Sequence, residues 1–95
     1  MPLKTTEFDP SEYLGREEAQ MELLADAFET RNGAYIADAL GIVARARGMT
    51  SIAKEAGVTR EALYRALSED GDPKLTTLLG VLRALGVKLK VEAAE

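Results

Sequence analysis

Residues 50–68, TSIAKEAGVTREALYRALS, constrain the fold more than any other stretch because a glycine separates two short amphipathic segments. A helix-turn-helix packs two short helices across a tight turn. Ala53 is the small residue that the close approach needs, and Gly57 tolerates the positive φ that the turn needs. The apolar inner faces are formed by Ile52, Ala56, Val58, Leu63 and Ala66. We predict a helix-turn-helix over residues 50–69, with an ordinary helical hairpin as the alternative.

The flanking segments also show helical spacing. Residues 16–31 and 34–47 precede the motif and residues 74–85 follow it, while the motif helices run from 50 to about 56 and from 60 to 69. With only 2 Phe, 3 Tyr and no Trp, the core must come from Leu, Val, Ile and Ala, which favours packed helices. The sequence therefore predicts an all-α fold of about five helices.

Local signals predict where these helices begin and end. Thr50 or Ser51 is expected to cap the first motif helix, and Thr59 the second. Stop signals follow three of the helices, at Asn32-Gly33, Gly48 and Gly86.

The two ends of the chain depart from the helical pattern. Residues 1–15 contain the turn signal Asp9-Pro10-Ser11 and are expected to form an extended arm. Residues 87–92 alternate apolar and charged side chains, which predicts a β-strand. A lone strand needs a partner: the arm, a symmetry mate or another protein. Residues 16–95 are expected to form one helical domain.

The composition excludes several classes of function. Without Cys or His there are no disulfides, thiolate nucleophiles, Ser-His-Asp triads or ordinary zinc sites. Adjacent Glu17 and Glu18 do not share a helix face, so we expect no enzyme and no cofactor. No apolar run approaches the roughly 20 residues of a membrane span, and the N-terminus lacks a signal peptide's apolar region. We expect a cytoplasmic protein.

The net charge of −4 is unevenly distributed. Residues 1–43 hold 3 Lys and Arg against 9 Asp and Glu, whereas residues 44–95 hold 9 against 7. The acidic half suits a basic partner and the other half suits a polyanion. The alternative is that both halves simply present solvated helix faces.

The outward face of the second motif helix has the residue types that recognise DNA. Arg can bond guanine bidentately, Glu can accept from cytosine, and Tyr can contact phosphate or a thymine methyl group. Phosphates can be held by Thr59 and the first backbone N–H groups of the second motif helix. The first motif helix can also contact them. The predicted DNA-binding residues are Thr50, Ser51, Lys54, Thr59, Arg60, Glu61, Tyr64 and Arg65.

Simpler interpretations of these residues stay open. Glu61 and Arg65 stand four residues apart and can pair with each other, and Tyr64 can be half-buried. Three residues beside the motif could also contact DNA, although simple solvation explains each of them equally well: Arg45, Arg47 and Lys74.

Nearly the whole chain resembles one known family. The matching stretches are FDPSEYL (8–14), the acidic helix after it, and residues 39–91. The most characteristic parts are ARARGM (44–49), LYRALSEDGDP (63–73) and the helix at 76–86. These residues resemble the HigA-like antidote proteins of addiction modules, which carry a Cro/lambda-repressor-type (XRE-like) helix-turn-helix.

The resemblance implies a lambda-repressor-like bundle and a cytoplasmic bacterial antitoxin. Its implied partners are a small basic toxin of the RelE/HigB/ParE-like superfamily and double-stranded operator DNA, with repression of its own operon as a homodimer. The acidic region at 7–29 is the expected toxin contact, and residues 87–91 are the candidate dimer element. Two alternatives stay open: a stand-alone prophage-type repressor without a toxin, and an interaction module that never touches DNA.

Overall fold

A computed structural model describes residues 17–94, and this part of the chain contains five α-helices and no strand. The predicted all-α class and the number of helices are confirmed for these residues. The helices are α1 (Glu17–Glu29), α2 (Gly33–Arg47), α3 (Met49–Ala56), α4 (Arg60–Ala66) and α5 (Leu75–Leu85). The predicted arm at 1–15 lies outside the described residues. None of these helices is both long and apolar enough to cross a membrane.

The helix α3 is the centre of the packing. It contacts α2, α4 and α5, most extensively α5, while α1 packs against α2. The largest fully buried side chains are aliphatic, as the composition predicts, and they come from α2, α4, α5 and the residue that follows α4: Leu40, Val43, Leu63, Leu67, Val81 and Leu85. Burial of their apolar surface is the main favourable contribution to folding.

The link between α1 and α2 differs in detail from the predicted stop signal. The left-handed residue after α1 is Arg31, with φ of 57°, and not a glycine. Asn32 caps α2, because its side-chain oxygen accepts a hydrogen bond from the Tyr35 N–H at 3.1 Å. Gly33 is the first residue of α2. The Asn-Gly pair therefore starts the second helix as much as it ends the first.

The turn between α3 and α4 depends on Gly57, whose φ of 79° is left-handed, as predicted. The Val58 N–H donates to the Ala53 carbonyl at 3.0 Å and closes the end of α3. Ala53 is buried and Val58 packs against the core, so the turn also brings the two helices together.

Two predicted helix boundaries were wrong, and a buried side chain lies at each of them. The helix α3 begins at Met49, which is 4% exposed, and not after a Thr50 or Ser51 cap. The helix α4 ends at Ala66 and not at residue 69, and the next residue, Leu67, is 1% exposed.

The predicted strand at 87–92 is also not formed in this single chain. The Val87 N–H donates to the Leu82 carbonyl at 2.8 Å, which completes the left-handed turn at Gly86. Beyond it, residues 88–94 take neither helix nor strand. The physical reason is that a strand needs a neighbouring strand for its N–H and C=O groups, and the described chain has none.

Gly41 lies close against the backbone that follows α4. A Cβ atom at this position in α2 would overlap the backbone carbonyl oxygen of Leu67, just after α4. Gly33, in the same helix, has open space around it. Only glycine at position 41 lets the end of α4 lie against α2.

We predict that Gly41→Ala lowers the free energy of unfolding by about 1–3 kcal/mol, because the new methyl group must push apart two backbones. The matched control is Gly33→Ala, which adds the same methyl group in open space and should leave stability unchanged or slightly higher. Thermal melts of the two variants test this. Equal melting temperatures would contradict the close packing at Gly41.

Candidate functional site

The first residue of α4, Arg60, lies between two side chains from different parts of the motif. Its Nη1 donates to Thr50 Oγ1 on α3 at 3.3 Å, and its Nη2 donates to Tyr64 Oη at 3.5 Å. The guanidinium carbon is 5.5 Å from the centre of the Tyr64 ring, within cation–π range. We call Thr50, Arg60 and Tyr64 the Arg60 cluster.

The Arg60 cluster carries a permanent positive charge at the surface. The hydrogen bond to Tyr64 is the largest influence on the pKa of Arg60 and raises it above its ordinary value, and the Glu61 carboxylate adds to the effect. All three side chains are exposed, with Tyr64 at 39%. Because a guanidinium has five N–H donors, the two bonds within the cluster leave others for a ligand.

Thr59 caps α4, as predicted. Its side-chain oxygen accepts from the Ala62 N–H at 3.0 Å, which satisfies one of the helix's unpaired donors. The hydroxyl hydrogen can still donate to an acceptor such as a phosphate oxygen. The cap holds Arg60 and Glu61 in the first turn of α4, directly beside α3.

The other predicted site residues are also exposed: Ser51, Lys54, Glu61 and Arg65. Within the part of the chain that the structure describes, no ion pair joins Glu61 to Arg65, so the simpler pairing interpretation is not what forms. Lys54 lies in the last turn of α3 and extends the positive charge away from the cluster. All eight predicted residues are therefore exposed, and the structure brings three of them into contact, namely Thr50, Arg60 and Tyr64.

One predicted flanking residue has a different role. Arg47, the last residue of α2, donates from Nε to Gln20 Oε1 at 2.6 Å and from Nη2 to the Leu85 carbonyl at 3.3 Å. It therefore ties α2 to α1 and to the end of α5. The side chains of Arg45 and Lys74 are exposed, and within residues 17–94 neither side chain makes such a hydrogen bond.

Sequence reasoning missed that Arg60 is held in place. The spacing of Arg60 and Tyr64, four residues apart on one helix, was a usable signal for their contact. The hydroxyl of Thr50 was not, because its position beside Arg60 follows from the way α3 packs on α4. The buried Gln20 that meets Arg47 left no sequence signal either.

Comparison with known proteins now decides the family. Residues 4–93 match the family described as "Probable addiction module antidote protein". The chain belongs to this family. It is also 41% identical over 86 residues to an uncharacterized protein of Haemophilus influenzae (strain ATCC 51907 / DSM 11121 / KW20 / Rd), covering 90% of this chain and 89% of the relative. No solved structure matches. The antidote family is not a class of enzymes, and an antidote implies a toxin partner in general.

In this antidote-family chain, we predict that Thr59→Ala lowers the free energy of unfolding by about 1 kcal/mol, because the Ala62 N–H loses its acceptor. Thr59→Ser keeps the oxygen and should keep most of the stability. Thr76→Ala, an exposed change in the first turn of α5, controls for the loss of a threonine. Urea titrations measure all three. A Thr59→Ala loss no larger than that of Thr76→Ala would contradict the capping role.

Proposed function

We propose that this protein is an antitoxin of a type II toxin-antitoxin module in the bacterial cytoplasm. It neutralises a RelE/HigB/ParE-like toxin by direct binding. It also represses its own operon by sequence-specific DNA binding as a dimer, with a lambda-repressor-like helix-turn-helix formed by α3 and α4. The antidote family supports the toxin half of this proposal, and the Arg60 cluster supports the DNA half.

The observation that carries the DNA half is the geometry of Arg60. Two hydrogen bonds and the Tyr64 ring hold an exposed guanidinium at the start of α4. A side chain that is already ordered loses less entropy on binding. In a helix-turn-helix, the first residues of the second helix meet the base edges in the major groove, and Arg bonds guanine there. Arg60 is then the base-reading residue, and Thr50 and Tyr64 orient it.

Dimerisation follows from the charge of the chain. A net charge of −4 opposes DNA as a whole, so one weakly basic surface binds a polyanion poorly. Two copies double the contacts and match an inverted repeat with half-sites about one helical turn apart. We therefore propose that the dimer is the DNA-binding species.

The toxin half of the proposal centres on the exposed face of α1. Its acidic residues surround an exposed apolar side chain, Met21, which is 42% exposed. Leu24 is already buried in the core, so Met21 is the apolar contact that α1 still offers. The face consists of Glu17, Glu18, Met21, Glu22, Ala25 and Asp26. Its negative charge attracts a basic toxin and speeds encounter.

A stand-alone prophage-type repressor would share the DNA chemistry but have no toxin. The match to the antidote family over residues 4–93 favours the antitoxin. An interaction module that never binds DNA would leave the ordered Arg60 without a role.

We predict that Arg60→Ala weakens binding to the protein's own upstream DNA by about 1–3 kcal/mol and relaxes the preference for one base pair. Footprinting at low and moderate salt measures this. The matched control is Arg31→Asn, which removes the same charge from a left-handed position that asparagine tolerates. It should keep the protected inverted repeat. If both variants protect the DNA equally, Arg60 does not read bases.

Toxin binding should depend on the acidic face of α1 and not on Arg60. We predict that Glu22→Lys slows association with the toxin encoded beside the gene by roughly tenfold at low salt, because a favourable charge becomes repulsive. Glu69→Lys makes the same charge change in the loop after α4 and should leave association nearly unchanged. Stopped-flow or biosensor kinetics measure both. A folded Arg60→Ala protein that loses toxin binding would contradict the separation of the two surfaces.

A further inference from the structure

The C-terminal segment, residues 88–94, leaves the helical body with its backbone unpaired. The last backbone hydrogen bond within residues 17–94 is from the Val87 N–H to the Leu82 carbonyl. Beyond it, residues 88–94 form neither helix nor strand. Such a segment presents a row of N–H and C=O groups that can pair with another strand.

Apolar side chains become more exposed along this segment. Val87 packs against the core, Leu89 is 46% exposed and Val91 is 99% exposed. On α5 beside it, Leu79 is 45% exposed and Leu75 is 66% exposed. A shallow depression places Leu79 beside Val87 and Leu89, and its lining also includes Arg83 and Lys88. An isolated pair of strands is only marginally stable in water. A pair that packs on this apolar surface gains stability from the burial.

The alternation of the segment makes it complementary to itself. In an antiparallel pair related by a twofold axis, apolar residues face apolar residues only when a residue lies on the axis. With Leu89 on the axis, the dimer would contain two symmetry-related pairs of Lys88 with Lys90, which are repulsive. With Lys90 on the axis, it contains two pairs of Lys88 with Glu92, which are attractive.

The same register also keeps the large side chains of Leu89 and Val91 opposite each other. With Lys90 on the axis, Leu89 lies opposite Val91 of the second copy on both sides. Moving the axis to Val91 keeps opposite charges together but sets Leu89 against the small Ala93. Only the register centred on Lys90 pairs Leu89 with Val91 and each Lys88 with a carboxylate, at the cost of one Lys90 pair on the axis.

We propose that residues 87–93 form an antiparallel two-stranded ribbon with the same segment of a second copy, with Lys90 on the twofold axis. This inference deepens the dimeric state in the proposed function and names the surface that builds it. The ribbon packs against the exposed leucines of α5 in both copies. Charge selects a second copy as the occupant, because Lys88 and Lys90 repel a basic toxin whereas Lys88 and Glu92 attract each other across the axis.

Cysteine cross-linking tests the register directly, because the chain has no native cysteine. Directly opposite residues in an antiparallel pair have Cα atoms about 4.5–5.5 Å apart, which a disulfide can bridge. Three full-length variants, Lys90→Cys, Leu89→Cys and Val91→Cys, are oxidised without DNA or toxin. The exposed loop variant Glu69→Cys measures random collision. We expect Lys90→Cys to form covalent dimers at least roughly tenfold faster than the other three.

The outcomes separate the possibilities. Fastest cross-linking of Leu89→Cys or Val91→Cys would overturn the Lys90 register. Rates for all three tail variants equal to that of Glu69→Cys would overturn pairing with a second copy and leave the N-terminal residues or another protein as the occupant. Since no DNA is present, this failure is distinct from a failure to footprint the operator.

A charge exchange provides the second test. We expect Lys88→Glu and Glu92→Lys each to weaken the dimer by roughly tenfold in sedimentation equilibrium, because each creates two like-charge pairs. The double variant Lys88→Glu/Glu92→Lys restores the opposite charges and should restore the dimer. Circular dichroism checks that all variants fold. A double variant as weak as the single variants would overturn the pairing of Lys88 with Glu92.

Discussion

The close approach of Gly41 to the Leu67 carbonyl constrains the end of the helix that begins with Arg60. The helix α4 has only seven residues and is too short to be stable alone. It is held by the Thr59 cap at one end and by burial of Leu67 against α2 at the other. A shift at Gly41 would therefore displace the end of α4, whereas packing on α3 and the Thr59 cap hold its first turn.

The packing of α3 provides the other half of the site. Gly80 on α5 faces Ala56 on α3, and both residues are small enough for the two helices to cross closely. This crossing fixes α3, and α3 carries the Thr50 hydroxyl that binds Arg60. Packing of the core therefore places the Thr50 hydroxyl within 3.3 Å of the exposed Arg60 guanidinium. The positive charge at this point stands out on a chain that is negative overall.

Prediction from sequence was most successful where the physics is local. Helical spacing, the left-handed glycine at 57 and the Thr59 cap each depend on a few neighbouring residues, and each was confirmed. It was wrong at the start of α3 and at the end of α4, where Met49 and Leu67 are buried. The predicted strand is not confirmed, because it lacks a partner within the described chain.

The sequence by itself determined the helical class, the turn that joins α3 to α4 and the exposed residue types on that motif, because periodicity and φ preference are properties of short segments. Only the tertiary structure decided that Arg60 is held by Thr50, and that Arg47 binds Gln20 and α5 and so is not a free surface charge. Those partners are 10, 27 and 38 residues away in the chain. Packing brings such residues together, and no local pattern in the sequence records it.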